Sequence, residues 1–121
     1  MEAASKGAKE GGGITVGIIP QEDKDYANNF CDVVIVTGMG WSRDFITAYS
    51  GDVVIVIGGG AGTAIEVYAA YLKSKPIIAL KGSGGIADKI ADSYRDDRKL
   101  VKVLEEASPE RAVELAFSML R

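Results

Sequence analysis

Five short apolar runs set the rhythm of the chain: ITVGII at 14–19, VVIV at 33–36, VVIVI at 53–57, PIIAL at 76–80 and LVKVL at 100–104. The first four are nearly continuous in apolar residues, without the alternation of a half-solvated strand. That pattern belongs to strands covered on both faces, as in a parallel sheet. Their starts lie 19, 20, 23 and 24 residues apart. Each interval leaves room for one helix, so the spacing predicts repeated β-α units.

The intervals themselves carry helical spacing. A short helix is expected at 43–49. The clearest lies at 64–73, where Ile65, Tyr68, Ala69 and Leu72 fall one turn apart, and another at 86–94. Ser108 and Pro109 read as N-cap and first-turn proline. They launch a last helix with Val113, Leu115, Ala116, Met119 and Leu120 on one side. Ahead of the first strand, MEAASKGAKEGGG predicts a helix of small residues ended by Gly11, Gly12 and Gly13. The expectation is a single Rossmann-like α/β domain over 1–121, a parallel sheet of about five strands flanked by helices.

Composition narrows the chemistry. At 121 residues the chain can bury one real core. A net charge of −3 with no basic patch argues against a nucleic-acid partner. No apolar run approaches a membrane span and Met1 opens no signal-peptide pattern, so no membrane partner is expected. The lone Cys31 fits a reducing, cytoplasmic setting. Histidine is absent, which excludes Ser-His-Asp and Cys-His catalysis and His-ligated metal sites within one chain. No metal and no cofactor is expected.

Ligands of open parallel sheets bind beyond the carboxyl ends of the strands. Three glycine-bearing seams lie there, at 37–42, 58–63 and 81–85. The middle one is richest, with Gly58, Gly59, Gly60, Ala61, Gly62 and Thr63. The N–H groups that open the next helix lack internal partners, and the helix dipole favours an anion beside them. A phosphate suits such a seam. It matches neither a P-loop, since Gly62 precedes Thr63 where Lys is required, nor GxGxxG, since Thr63 holds the last glycine position. No acidic residue closes the following strand, so a dinucleotide fits less well than a mononucleotide or sugar phosphate. The competing reading is a tight strand-to-helix turn that binds nothing.

Glu66 has two readings. Thr63 and Glu66 have the spacing of a capping box, or Glu66 stands one turn from a phosphate and reaches a ribose or a water. Arg43 likewise either answers a bound anion or is a solvent-exposed arginine paired with Asp44. DVVIVTGMG at 32–40 and DVVIVIGGG at 52–60 agree at seven of nine positions, one strand-to-loop solution used twice; Gly38, Met39 and Gly40 are therefore included with the ligand loop. Trp41 is read as a base-stacking, interface or core residue. Tyr68 and Tyr71 read as packing residues, the charges at 94–99 as a solvated loop, and 82–85 as a flap or a plain turn.

GGGAGTAIE at 58–66 resembles the Pro-Gly-Gly-x-Gly-Thr-x-x-Glu motif of the Lonely Guy family, long misnamed lysine decarboxylases. GMGWSRD at 38–44 resembles its arginine-bearing segment, and MEAASKGAKEGGGITVGIIP its small-residue helix, glycines and strand ending in Ile-Pro. Gly58 in place of the enzymes' Pro and Asp44 in place of their Lys resemble the branch that includes molybdenum-cofactor carriers. The resemblance implies cleavage of the N-glycosidic bond of nucleoside 5′-monophosphates, with Glu66 and Arg43 as the catalytic pair and 59–63 as the phosphate loop. Alternatively, it implies a non-catalytic carrier or sensor of a phosphorylated pterin. It also implies a homodimer, and two further family strands and a glycine loop upstream of Met1, with those strands lying between the ones at Ile14 and Val33.

Overall fold

The computed structural model describes residues 1–120. The chain falls into two compact units, Met1–Arg43 and Asp44–Arg121.

The first unit opens with α1 (Glu2–Glu10), whose first turn carries Glu2 and whose last turn carries Lys9, as the helix dipole prefers. Strands β1 (Val16–Ile19) and β2 (Val33–Val36) then pair in parallel, from Val16 opposite Val33 to Ile19 opposite Val36. This corrects the expectation of further strands between them. Their starts are interlocked: Asp32 and Val33 both donate backbone N–H groups to the Thr15 carbonyl, and the Asp32 carboxylate accepts the Thr15 N–H at 2.8 Å. Lys9 reaches the same carboxylate at 2.5 Å and so fastens α1 to the strand pair. Lys9 and the Thr15 N–H together hold the Asp32 carboxyl below the usual carboxylate range. The helix expected between β1 and β2 is absent; that connection holds only a 3₁₀ turn, Lys24–Tyr26, capped by Asp23. In β2 the expected burial is not met either, for Val33, Ile35 and Val36 are each more than 40% exposed.

The second unit holds α2 (Arg43–Ser50, all but its first residue), β3 (Val54–Val56), α3 (Ala61–Leu72), β4 (Ile77–Leu80), α4 (Gly85–Ile90), β5 (Leu104–Glu106) and α5 (Pro109–Ser118). Its sheet is parallel in the order β3-β4-β5. Central β4 explains why its sequence is apolar without interruption. Ile77 and Ala79 pack with Val56, Val67, Ala70, Tyr71, Ala87, Ile90 and Val103. Ile78 packs with Ala112 and Ala116 of α5 in a separate cluster. Helices on both faces of a parallel sheet make this an α/β unit, and the five strands of the chain run parallel within two sheets.

Three elements differ from expectation, each for a local reason. Helix α3 begins at Ala61, three residues early, with Gly60 as N-cap; positive φ at Gly58 and Gly59 turns the chain sharply enough for the helix to start at once. Helix α4 stops at Ile90 because Ala91 is extended and Asp92 has φ +55°. The last strand is shifted to 104–106, since Val103 donates to the Ser93 carbonyl in an isolated antiparallel bridge. Leu100 is caught earlier still, its N–H donating to the Tyr71 hydroxyl at 3.1 Å. The last helix starts as expected, with the Ser108 hydroxyl accepting the Arg111 N–H.

Candidate functional site

The glycine seam follows β3 directly. Its first glycines are bound up with the third glycine loop, which is neither an open flap nor a plain turn. The Gly58 N–H donates to the Ser83 hydroxyl at 2.9 Å. In the other direction, the Gly59 carbonyl accepts the Ile86 N–H at 2.9 Å and the Gly58 carbonyl accepts the Ala87 N–H at 3.0 Å. The seam thus caps the opening of α4 with its own carbonyls. The fit requires glycine on both sides. A Cβ on Gly85 would lie 2.9 Å from the Gly58 carbonyl carbon, and one on Gly59, at φ +93°, would lie 2.5 Å from the Thr63 Cβ.

Beyond this clasp the seam is open. Gly60 is exposed, and nothing lies within 4 Å of where its Cβ would stand. Helix α3 has no side-chain cap. The N–H groups of Ala61, Gly62 and Thr63 occupy its first turn, where an α-helix has no internal acceptors to give them. Thr63 is therefore the third helical residue and not the N-cap, so it forms no capping box with Glu66. Glu66 falls on the second turn of α3 and is half-buried. On the opposite side of the helix, Tyr71 is buried, and its hydroxyl donates to Asp96 at 2.6 Å. Tyr68 stays half-exposed with the Arg95 guanidinium 5.9 Å from its ring. The run at 94–99 is thus pinned at Asp96, which also pairs with Arg98 at 2.6 Å; Arg98 and the Tyr71 hydroxyl hold the Asp96 carboxyl below its ordinary range.

In the first unit the related segment behaves differently. Gly38 and Gly40 donate their N–H groups to the Gln21 and Pro20 carbonyls at 3.0 and 3.1 Å, and Met39 donates to the Thr37 hydroxyl at 3.2 Å. The Gly38 and Gly40 amides brace the loop after β1, and the Met39 amide closes a turn within its own loop. Gly40 opens a 3₁₀ turn through Ser42, and Trp41 on that turn is 76% exposed, which removes it from the core. Arg43 follows. It is half-buried, which corrects the picture of a solvent-exposed arginine, and Asp44 is fully buried. Arg43 lines a cleft of about 310 Å³ with Pro20, Gln21, Tyr26, Asn28 and Cys31. Sequence reasoning missed Gln21, Tyr26 and Asn28. The available signals were their place just beyond the carboxyl end of a parallel strand and the Asn28–Phe30 spacing of an Asx turn. Among the described residues no group of three or more Cys, Asp or Glu side chains is gathered as metal ligands would be. No described helix is long and apolar enough to cross a membrane.

Known proteins agree with this architecture. A protein of Archaeoglobus fulgidus, uncharacterised, is 44% identical over 81 residues, 67% of this chain and 53% of its own. A cytokinin riboside 5′-monophosphate phosphoribohydrolase of Mycobacterium tuberculosis is 37% identical over 73 residues, 59% of this chain and 39% of the enzyme. The chain thus spans about half, or less, of these relatives. Among solved structures, the X-ray structure of TM1055 matches with a TM-score of 0.89 and 37% identity, covering 98% of this chain and 72% of that one. The molybdenum cofactor binding protein of Rippkaea orientalis matches with a TM-score of 0.84 and 35% identity, covering 100% and 71%. The Moco carrier protein of Chlamydomonas reinhardtii matches with a TM-score of 0.71 and 38% identity, covering 99% and 72%. The resemblance to Lonely Guy proteins, on their carrier-like branch, therefore holds. With the SLOG cluster4 family matched across residues 1–113, the chain belongs to that family.

Proposed function

We propose that the chain binds a phosphorylated heterocyclic molecule, a nucleoside 5′-monophosphate or a pterin phosphate, through the opening turn of α3. One observation carries the reading: α3 begins at an exposed glycine with no side-chain cap. Its first-turn N–H groups and dipole favour an anion, and a phosphoryl group supplies both the charge and the acceptor oxygens. Gly60 and Gly62 keep the approach clear of side chains. The kinship with a monophosphate hydrolase and with cofactor carriers supports this class of ligand.

A second reading adds turnover, and the place of Glu66 one helical turn beyond that opening favours it. Cleavage of the N-glycosidic bond builds positive charge on the ribose. A carboxylate beside C1′ stabilises it and orients the attacking water. The C1′–N bond breaks, hydroxide from the water joins C1′, and the remaining proton passes to the base. The products are a free base and ribose 5-phosphate. Arg43 would hold the phosphate or orient a carboxylate.

A melting panel of inorganic phosphate, ribose 5-phosphate, adenosine 5′-monophosphate and a pterin phosphate tests the first reading. A ligand selective for the folded chain adds about 2.7 kcal/mol of stability at a hundred times its Kd. No shift with any phosphorylated compound refutes it. Base release from the monophosphates, abolished in Glu66→Ala and Arg43→Ala, separates the hydrolase from the carrier. Binding without release assigns the carrier role.

A further inference from the structure

We infer that Ser83 is a positioning residue for the proposed anion site: its hydroxyl orients the first of the peptide planes that lead from β3 into α3, and ligand affinity depends on it. This deepens the reading above that α3 opens on a phosphoryl group, and rests on it. The opening is reached through Gly58, Gly59 and Gly60. Three glycines in a row have no preference of their own for one path, and fixing them costs more conformational freedom than fixing any other residues. Something outside the seam must choose the path.

Three hydrogen bonds make that choice, one for each successive peptide plane. The Gly58 N–H, on the plane shared with Ile57, donates to the Ser83 hydroxyl at 2.9 Å. The Gly58 carbonyl, on the next plane, accepts the Ala87 N–H, and the Gly59 carbonyl, on the third, accepts the Ile86 N–H. The carbonyl and the N–H of a trans peptide point in opposite directions, and every described peptide bond is trans. With the Gly58 and Gly59 carbonyls turned to α4, the N–H groups of Gly59 and Gly60 are turned away from it. Both residues are exposed. The amides that precede α3 are thus oriented before a ligand arrives, and binding does not have to order them.

Of the three bonds, only that to Ser83 is made by a side chain, so only it can be removed by substitution. The hydroxyl is itself aimed. It donates to the Leu80 carbonyl at 2.6 Å, which leaves its oxygen lone pairs to face the Gly58 N–H. The loop that carries it is clamped in turn by Asp88 of α4, whose two carboxylate oxygens accept the Gly82 N–H at 2.7 Å and the Gly84 N–H at 2.9 Å. Asp88 is exposed and Ser83 is half-buried. The contacts therefore run from the surface, through the loop at 82–84, to the seam, and every member lies in the second unit.

Isothermal titration of inorganic phosphate and of ribose 5-phosphate into the parent chain, Ser83→Ala and Ser83→Thr tests the assignment, with the melting temperature of each ligand-free chain measured alongside. Ser83→Ala is expected to weaken binding roughly tenfold, the worth of one hydrogen bond. Ser83→Thr keeps the hydroxyl and is expected to bind like the parent. A serine that serves folding alone would lower the melting temperature in Ser83→Ala and leave the Kd in place; that result overturns the inference, as does Ser83→Thr binding as weakly as Ser83→Ala. If Ser83→Ala does not fold, Asp88→Ala releases the same loop from an exposed position and is expected to weaken binding several-fold, and an unchanged Kd there overturns the inference equally. A parent chain that binds neither compound refutes the α3 reading and the inference falls with it, whereas binding that the variants leave unaltered refutes the role of Ser83 and leaves the α3 reading standing.

Discussion

At Gly60 the proposed anion site can be closed by a single side chain. The position is the N-cap of α3, has φ −126° and has open space around it. An aspartate there would offer its own carboxylate to the first-turn N–H groups. Gly60→Asp is expected to raise stability by a few tenths of a kcal/mol, as a better cap does, while abolishing the melting shift with phosphate compounds. Denaturant titration with and without ligand measures both. Gly59→Ala should act in the opposite sense: its positive φ and its closeness to Thr63 predict a loss of about 1–2 kcal/mol. Asp32 contributes to the acid sensitivity of the first unit. Its folded pKa lies below the ordinary 3.8 because Lys9 and Thr15 favour the charged form. The stability it contributes is present above that ordinary value and is lost as pH falls through the lowered one. Asp32→Asn should therefore show a shallower decline in melting temperature between about pH 5 and pH 2.

The elements of the second unit are held by two long-range ties. The Tyr71 hydroxyl joins Asp96 and the Leu100 N–H to the buried face of α3. Tyr71→Phe should cost about 0.5–1.5 kcal/mol, since the solvent-accessible Asp96 carboxylate and Leu100 N–H lose their shared partner, with amide exchange rising at Leu100. Lys75 donates its ammonium to the Tyr49 carbonyl at 2.6 Å and to the Gly51 carbonyl, holding the end of α2 to the chain before β4. Neither tie was legible in the sequence, because each joins residues more than twenty positions apart. What was legible followed from the continuous apolar runs. The runs at 33–36, 53–57 and 76–80 contain β2, β3 and β4, and Ser108-Pro109 did start a helix. The run at 100–104 misled because an apolar pattern cannot show that Leu100 is captured by a tyrosine. Thr63 and Glu66 misled because a capping-box spacing competes with glycines that begin the helix three residues sooner. In the candidate site the glycines were readable, but their clasp on 83–87 was not, since it depends on the parallel pairing of β3 with β4.

At the scale of the molecule, the two units differ in how well their sheets are covered. β4 has apolar packing on both faces, whereas β2 leaves Val33, Ile35 and Val36 exposed in a two-stranded sheet, a form that is marginal by itself. Amide exchange is expected to be markedly faster in β2 than in β4, as exchange mapping would read. The exposed Val113 and Phe117 on α5, one turn apart, are an expected contact for a homodimer. Sedimentation velocity should show a dimer that Phe117→Asp returns to monomer. The clasp between the two glycine loops has a consequence for detection. Because the carbonyls of Gly58 and Gly59 hold the amides of Ile86 and Ala87, any guest that polarises the turn between them should register as a displaced nitrogen-15 resonance at those two amides. A chain labelled only in isoleucine and alanine would then signal occupancy from a helix the guest never touches.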